Sequence, residues 1–137
     1  MTDAPRTPTP IDRIADAWVD TAAELSPMTA TYIGRFEFND RFDDFSPAGH
    51  QRAADEARKT LAALDAAAPV DVIDEVTKED LSRELRLDLD VFEARASLRD
   101  VNVIASPAQE IRSVFDLMPT DTVDDWSTIA TRLNAVS

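Results

Sequence analysis

The sequence has no cysteine, two glycines and one histidine among its 137 residues. Without cysteine there is no disulfide framework, no thiolate metal centre and no cysteine nucleophile. Gly34 and Gly49 stand apart from each other, so no glycine-rich phosphate loop can be built from them. Basic residues are scarce as well: 14 Lys and Arg face 27 Asp and Glu, for a net charge of −13. A surface that acidic repels phosphate backbones and anionic lipid, which excludes nucleic acid and the membrane as expected partners. No window approaches the roughly 20 apolar residues that a membrane span needs. Residues 1–10 are polar, carry three prolines and lack the apolar core of a signal peptide. These absences together give a cytoplasmic protein as the expectation.

What is present favours helices. The chain is 44% hydrophobic and 30% charged, and at this length it suits one domain with a real core. Helix starts recur as a capping residue followed by proline: Thr9-Pro10, Ser26-Pro27, Ser46-Pro47 and Ser106-Pro107. Thr9 with Asp12, Ser106 with Gln109, Thr77 with Asp80 and Thr122 with Asp125 have capping-box spacing. Gly34 stands where a left-handed C-cap closes the second helix. The fold class expected is all-α, an irregular bundle of about five to six helices. Residues 1–8 read as a disordered lead-in and 9–137 as a single helical domain.

The bundle is expected to form around a central helix over 77–99. At about 100° per residue, Leu81, Leu85, Leu89, Phe92 and Ala96 form one stripe. Leu87, Val91, Ala94 and Leu98 form a second, on the opposite side. Two stripes predict packing partners on both faces. Ile11, Ile14, Ala15, Trp18, Val19, Ala22 and Leu25 give the first helix one apolar face. Ala53, Ala54, Ala57, Leu61 and Leu64 do the same for the helix after Ser46. Ile111, Val114, Phe115 and Met118 mark the helix that follows Pro107. On the last helix, Trp126, Ile129, Ala130 and Leu133 are expected to point inward. Between the second and third helices lies an aromatic-rich loop, 35–45, whose Phe36, Phe38, Phe42 and Phe45 should pin it to the bundle. The last helix runs nearly to Ser137 with no C-cap glycine or polar tail, which suggests a piece of a longer protein.

A search for chemistry assigns no catalytic, cofactor-binding or metal residue. His50 has Ala53 and Ala54 three and four positions on, where a second ligand would stand, so it reads as structural. Asp43-Asp44 and the i,i+4 pair Glu84 and Asp88 could do acid–base work if buried. Acids are abundant, however, and Arg95 on the same seam gives Glu84 and Asp88 a charge partner. Ser26, Ser46, Ser82, Ser97 and Ser106 read as caps and Ser113 as a surface residue, with His50 the one base available to any of them. Arg35, Phe36, Arg41 and Phe42 interleave charge with rings, but Glu37, Asp40, Asp43 and Asp44 cancel the charge, leaving packing.

One stretch points further. Trp18, Ser26-Pro27-Met28-Thr29-Ala30-Thr31-Tyr32-Ile33-Gly34 and Arg41-Phe42-Asp43-Asp44-Phe45-Ser46-Pro47 together resemble the opening of the domain-of-unknown-function 885 family. The resemblance implies a bacterial, mostly helical, zinc-metallopeptidase-like protein several times longer than this chain. It also implies a His-Glu-x-x-His signature far downstream; no such sequence occurs here, so no zinc ligand or general base can be carried over. The function expected is therefore a non-catalytic N-terminal scaffold or cleft wall of such a hydrolase, with zinc belonging to the longer parent alone. Its partner would be the C-terminal remainder of the same protein. The alternative is a stand-alone module that binds a helical partner or forms a homodimer. Both readings predict an exposed apolar patch, on the outer stripe of the central helix or at the end of the last one.

Overall fold

The computed structural model describes residues 6–99 and 101–136, and over them the chain is all-α with no strand. Six α-helices follow in order: α1 (Pro10–Leu25), α2 (Pro27–Tyr32), α3 (Pro47–Ala66), α4 (Val72–Glu93), α5 (Pro107–Ser113) and α6 (Val123–Asn134). None is long and apolar enough to cross a membrane.

Local chemistry sets most of the boundaries. Thr9 and Asp12 form a reciprocal capping box, Asp12 N donating to Thr9 Oγ1 at 3.1 Å and Thr9 N to Asp12 Oδ2 at 2.8 Å. Thr122 and Asp125 repeat it at the start of α6. Ser26 and Ser46 each accept a backbone N–H, from Thr29 and from Gly49. At the end of α2, Gly34 adopts φ +80°, Arg35 N donates to Ala30 O and Gly34 N to Thr31 O, the double bond of a Schellman cap.

Three local expectations fail. The central helix starts at Val72, not Thr77, because the Asp71 carboxylate accepts Asp74 N at 2.9 Å and caps the chain earlier. Thr77 and Asp80 lie inside it. The same helix stops at Glu93: Arg95 turns left-handed at φ +52° and residues 96–99 form a 3-10 turn. At α5 the capping box is incomplete. The Ser106 hydroxyl donates to the Gln109 side-chain oxygen and makes no cap to the backbone.

The main core is a three-helix unit of α1, α3 and α4, centred on Ile11, Ala57, Leu64 and Leu85 with Ile14, Trp18, Leu61, Leu81 and Leu89 packed around them. Alanine on the inner face of α3 lets its axis approach α4 closely. Lys78 of α4 donates to Ala67 O at 2.8 Å, placing a cation on the C-terminal carbonyls of α3. The start of α1 is tied to the start of α4. Arg6 bonds Asp12 at 2.6 Å, Asp71 at 2.7 Å and the fully buried Asp74. Asp74 also accepts Thr9 Oγ1 and Val70 N, both at 2.8 Å. Arg6, within the expected lead-in over 1–8, is held by these bonds; residues 1–5 of that lead-in lie outside the described residues.

A second layer is built on α2, against which pack the 3-10 turn at Phe36–Phe38 and the 3-10 stretch Val114–Leu117 that continues α5, with α6 attached through Arg132. Met28, Ala30, Val114 and Met118 are its buried apolar residues. The loop before α3 is fixed by polar pegs more than by its rings. Buried Asn39 accepts Thr31 Oγ1 at 2.7 Å, and Asp43 accepts Ser26 Oγ at 2.6 Å and Met28 N at 2.9 Å. Phe42 meets Phe115 edge-on at 5.9 Å, but Phe36 and Phe45 stay exposed.

Two faces contradict the expected packing. The expected outer stripe has no partner among the described residues: Leu87 of α4 is 54% and Leu98, in the 3-10 turn beyond it, 74% exposed, with Val91 exposed between them. The central helix is therefore buried on one face only. In α6, Trp126 and Leu133 are each 58% exposed, Ala130 is exposed too, and the residue turned fully inward is Arg132, at 0%. Its Nη1 donates to Thr31 Oγ1 at 2.8 Å, and its guanidinium lies over the Phe42 ring at 5.0 Å. Nε and Nη2 have no hydrogen-bond partner among the described residues. Burial pushes the Arg132 pKa down, with Asp43 and Asp40 opposing. The polar stripe of α6 wins the interior because Thr31 and Asn39 offer acceptors to Arg132 there, while Trp126 stays outside with its indole N–H donating to Thr120 O.

Backbone geometry makes two opposite substitutions informative. A Cβ at Gly49 would stand 2.0 Å from Asp44 O, so Gly49→Ala forces backbone apart. It should lower stability by about 1–3 kcal/mol or more in urea denaturation. Arg95→Gly relieves a left-handed L-residue and should raise stability by up to about 1 kcal/mol.

Candidate functional site: an apolar cavity between α1, α3 and α4

Where the three core helices meet the Ala96–Arg99 turn, they leave a cavity of about 260 Å³. Trp18, Ala22 and Leu25 come from α1, one helical turn apart. His50, Ala53, Ala54 and Ala57 come from α3, and Asp88, Leu89, Val91 and Phe92 from α4. Ser26 and Ser97 complete the lining. The cavity exists because α3 presents alanines where leucines would fill the space, between the larger Trp18 and Phe92. Its lining is apolar, with His50 and Asp88 as its titratable groups. That combination, an apolar hollow with few convergent polar groups, is the usual form of a small-molecule site.

Asp88 is the unusual residue. Asp88 stays exposed at the rim of the cavity, but partial desolvation by the apolar lining, then the nearby charge of Glu84, pushes its carboxyl above the ordinary aspartate range. Among the described residues it forms no ion pair within 4 Å. The compensation expected from Arg95 does not occur, since Arg95 lies beyond the helix end in a left-handed turn. Glu84 is paired instead with Arg83 at 3.2 Å. Arg58 stacks over Phe92 at 5.6 Å and bonds Asp55 at 3.1 Å, with Glu93 at 3.8 Å.

The other sequence candidates separate. Asp43 and Asp44 do different structural work: Asp43 holds α2, and Asp44 accepts Ser46 N at 3.0 Å and is pulled below the usual carboxylate range by its bonds to Ser46. Ser26 and Ser46 are caps. Ser82 and Ser97 are not; Ser82 is buried inside α4 with its hydroxyl unpaired among the described residues, and Ser97 lines the cavity. Ser113 is half-buried, not on the surface. His50 is half-buried, and no hydrogen bond joins it to Asp88 or Ser97 among the described residues. Inspecting the neighbours of His50 on its own helix misses Asp88, which arrives from α4. The alanine run at 53, 54 and 57 was the sequence signal for a hollow beside it.

Metal does not fit. No three of His, Cys, Asp and Glu among the described residues come together as a metal-holding group. His50 and Asp88 are one donor each on opposite walls, short of a zinc ligand set. A larger cleft of about 500 Å³ lies between α1, Arg41 and α3, but it is polar and internally compensated: Lys59 pairs with Glu56 at 3.1 Å and Arg52 with Asp44 at 3.5 Å.

The state of Asp88 can be read from stability. A carboxyl whose pKa is raised by folding favours the folded state below the unfolded value, about 3.9, and loses that contribution as pH rises through the folded value. Asp88→Asn, which cannot ionise, should melt at a higher temperature than the native chain at pH 7. The difference should disappear below about pH 4 in paired thermal melts.

Curated proteins yield no match to this sequence. A family model does match, and it covers α2 through α6, including the Pro27–Gly34 and Arg41–Pro47 segments that carried the resemblance. Over residues 27–137 the sequence fits the model for bacterial proteins of unknown function, DUF885, and the chain belongs to that family.

Proposed function

We propose that this chain is the non-catalytic N-terminal helical part of a larger metallopeptidase-like hydrolase, where it walls one side of the substrate cleft. The observation that carries the reading is the pair of apolar faces turned outward: Leu87 on α4 and Leu98 in the turn beyond it, with half-exposed Val91 at the cavity rim between them, and Trp126 and Leu133 along α6. Helices of a finished domain bury such stripes, so these faces await further polypeptide. The wall would supply shape and the apolar hollow beside Trp18, while zinc and the groups that activate water belong to the remainder of the protein.

The same faces support a second reading, a stand-alone module that binds a helical partner or dimerises through α4. The two readings part on assembly. A cleft wall remains monomeric and binds 1-anilinonaphthalene-8-sulfonate through its open faces. A dimerisation module shows a concentration-dependent dimer in sedimentation equilibrium, abolished by Leu87→Lys with Val91→Lys.

The purified chain is expected to hydrolyse no peptide substrate and to take up no stoichiometric zinc in metal analysis after dialysis. Leu87→Lys with Val91→Lys should reduce dye binding severalfold while leaving stability within about 0.5 kcal/mol, as exposed positions do. Tight zinc at one ion per chain would sink the cleft-wall reading, and a dye-silent monomer would sink both.

A further inference from the structure

Asp88 is the α4 acid that lines the cavity. Glu84 has Arg83, and Glu93 has Arg58, but Asp88 stands at the cavity without a cation among the described residues. One turn along α4 from it, Phe92 adds an aromatic ring to the lining; α1 contributes Trp18 and α3 its alanines. The hollow of about 260 Å³ has room for on the order of ten non-hydrogen atoms. A carboxylate beside apolar walls is most stable when a ligand brings the missing positive charge and covers the walls at once.

We propose that the cavity between α1, α3 and α4 binds a small amphiphilic cation, its ammonium group paired with Asp88 and its apolar or aromatic body against Trp18 and Phe92. The charge complementarity is one-sided. Arg58, the cation near this wall, is already engaged by Asp55 and Glu93, so an anionic ligand would meet Asp88 with no free Lys or Arg among the described lining residues to offset the repulsion. The upward shift of the Asp88 carboxyl agrees: desolvation, then the charge of Glu84, raise it, and no cation among the described residues opposes them. The assignment does not depend on the cleft-wall reading and holds equally for a stand-alone module.

The test uses the full chain carrying Trp126→Phe, so that Trp18 is the one remaining tryptophan and reports from the cavity itself. Fluorescence is titrated with 2-phenylethylamine, 2-phenylethanol and phenylacetate, which share a ring and differ in charge. The amine should bind saturably, at least tenfold tighter than the alcohol, with the acid weakest. Asp88→Asn should bring the amine to the level of the alcohol. Because the chain is acidic throughout, Asp16→Asn on α1 serves as the control and should leave the preference intact. Equal affinity for amine and alcohol, no saturable change at Trp18, or an equal loss in Asp16→Asn would each overturn the proposal.

Discussion

Asp74 carries a carboxylate with no exposure to solvent, and the layout of the three-helix core depends on how that charge is satisfied. Three donors meet it from separate parts of the chain: Arg6 ahead of α1, the Thr9 hydroxyl at its cap, and Val70 N in the connection after α3. A buried carboxylate left without such partners costs several kcal/mol, so the donors are held where the charge requires them. Arg6 reaches Asp12 and Asp71 as well, and the starts of α1 and α4 are fixed at one end of the bundle. With that end pinned, Ile11 meets Leu64 and Leu85, and the far end of α1 is delivered to the cavity at Trp18.

Arg132 is the second buried charge and is satisfied in another way. It has no carboxylate partner within ion-pair distance among the described residues, only the Thr31 hydroxyl, a longer contact to Asn39 at 3.4 Å and the face of Phe42. These are the residues that hold α2 and the following loop together, so α6 docks onto a hydrogen-bonded patch and not onto a hydrophobic one. That choice leaves its apolar stripe outside. The two layers thus rest on different physics: packing around one neutralised acid in the first, a solitary guanidinium in the second.

Much of this was legible in the residues. Proline after a capping residue located four helix starts, because both preferences are local and need no tertiary information. Gly34 announced its left-handed cap for the same reason. The inner face of α3 followed from its spacing. What could not be read were the choices that depend on neighbours. Asp71 beats Thr77 as the cap of α4 because Arg6, 65 positions away in sequence, stabilises the Asp71–Asp74 cluster. The inward face of α6 is decided by acceptors on α2 and Asn39, which no periodicity on α6 reveals. The candidate site fails to show in the sequence for a related reason. His50 and Asp88 lie on different helices, and a hollow is an absence that only the relative placement of Ala54, Trp18 and Phe92 defines.

The Asp74 lock also bears on where the folding unit begins. Kinship is carried by residues 27–137, yet Ile11, Ile14 and Trp18 of the core, and Arg6 and Thr9 of the lock, all precede that stretch. Stripped to its family-matched part, the polypeptide would uncover one side of α3 and α4 and strand an acid in their midst. Ancestry and autonomy thus have different borders here, and expression boundaries drawn on the first would dismantle the second.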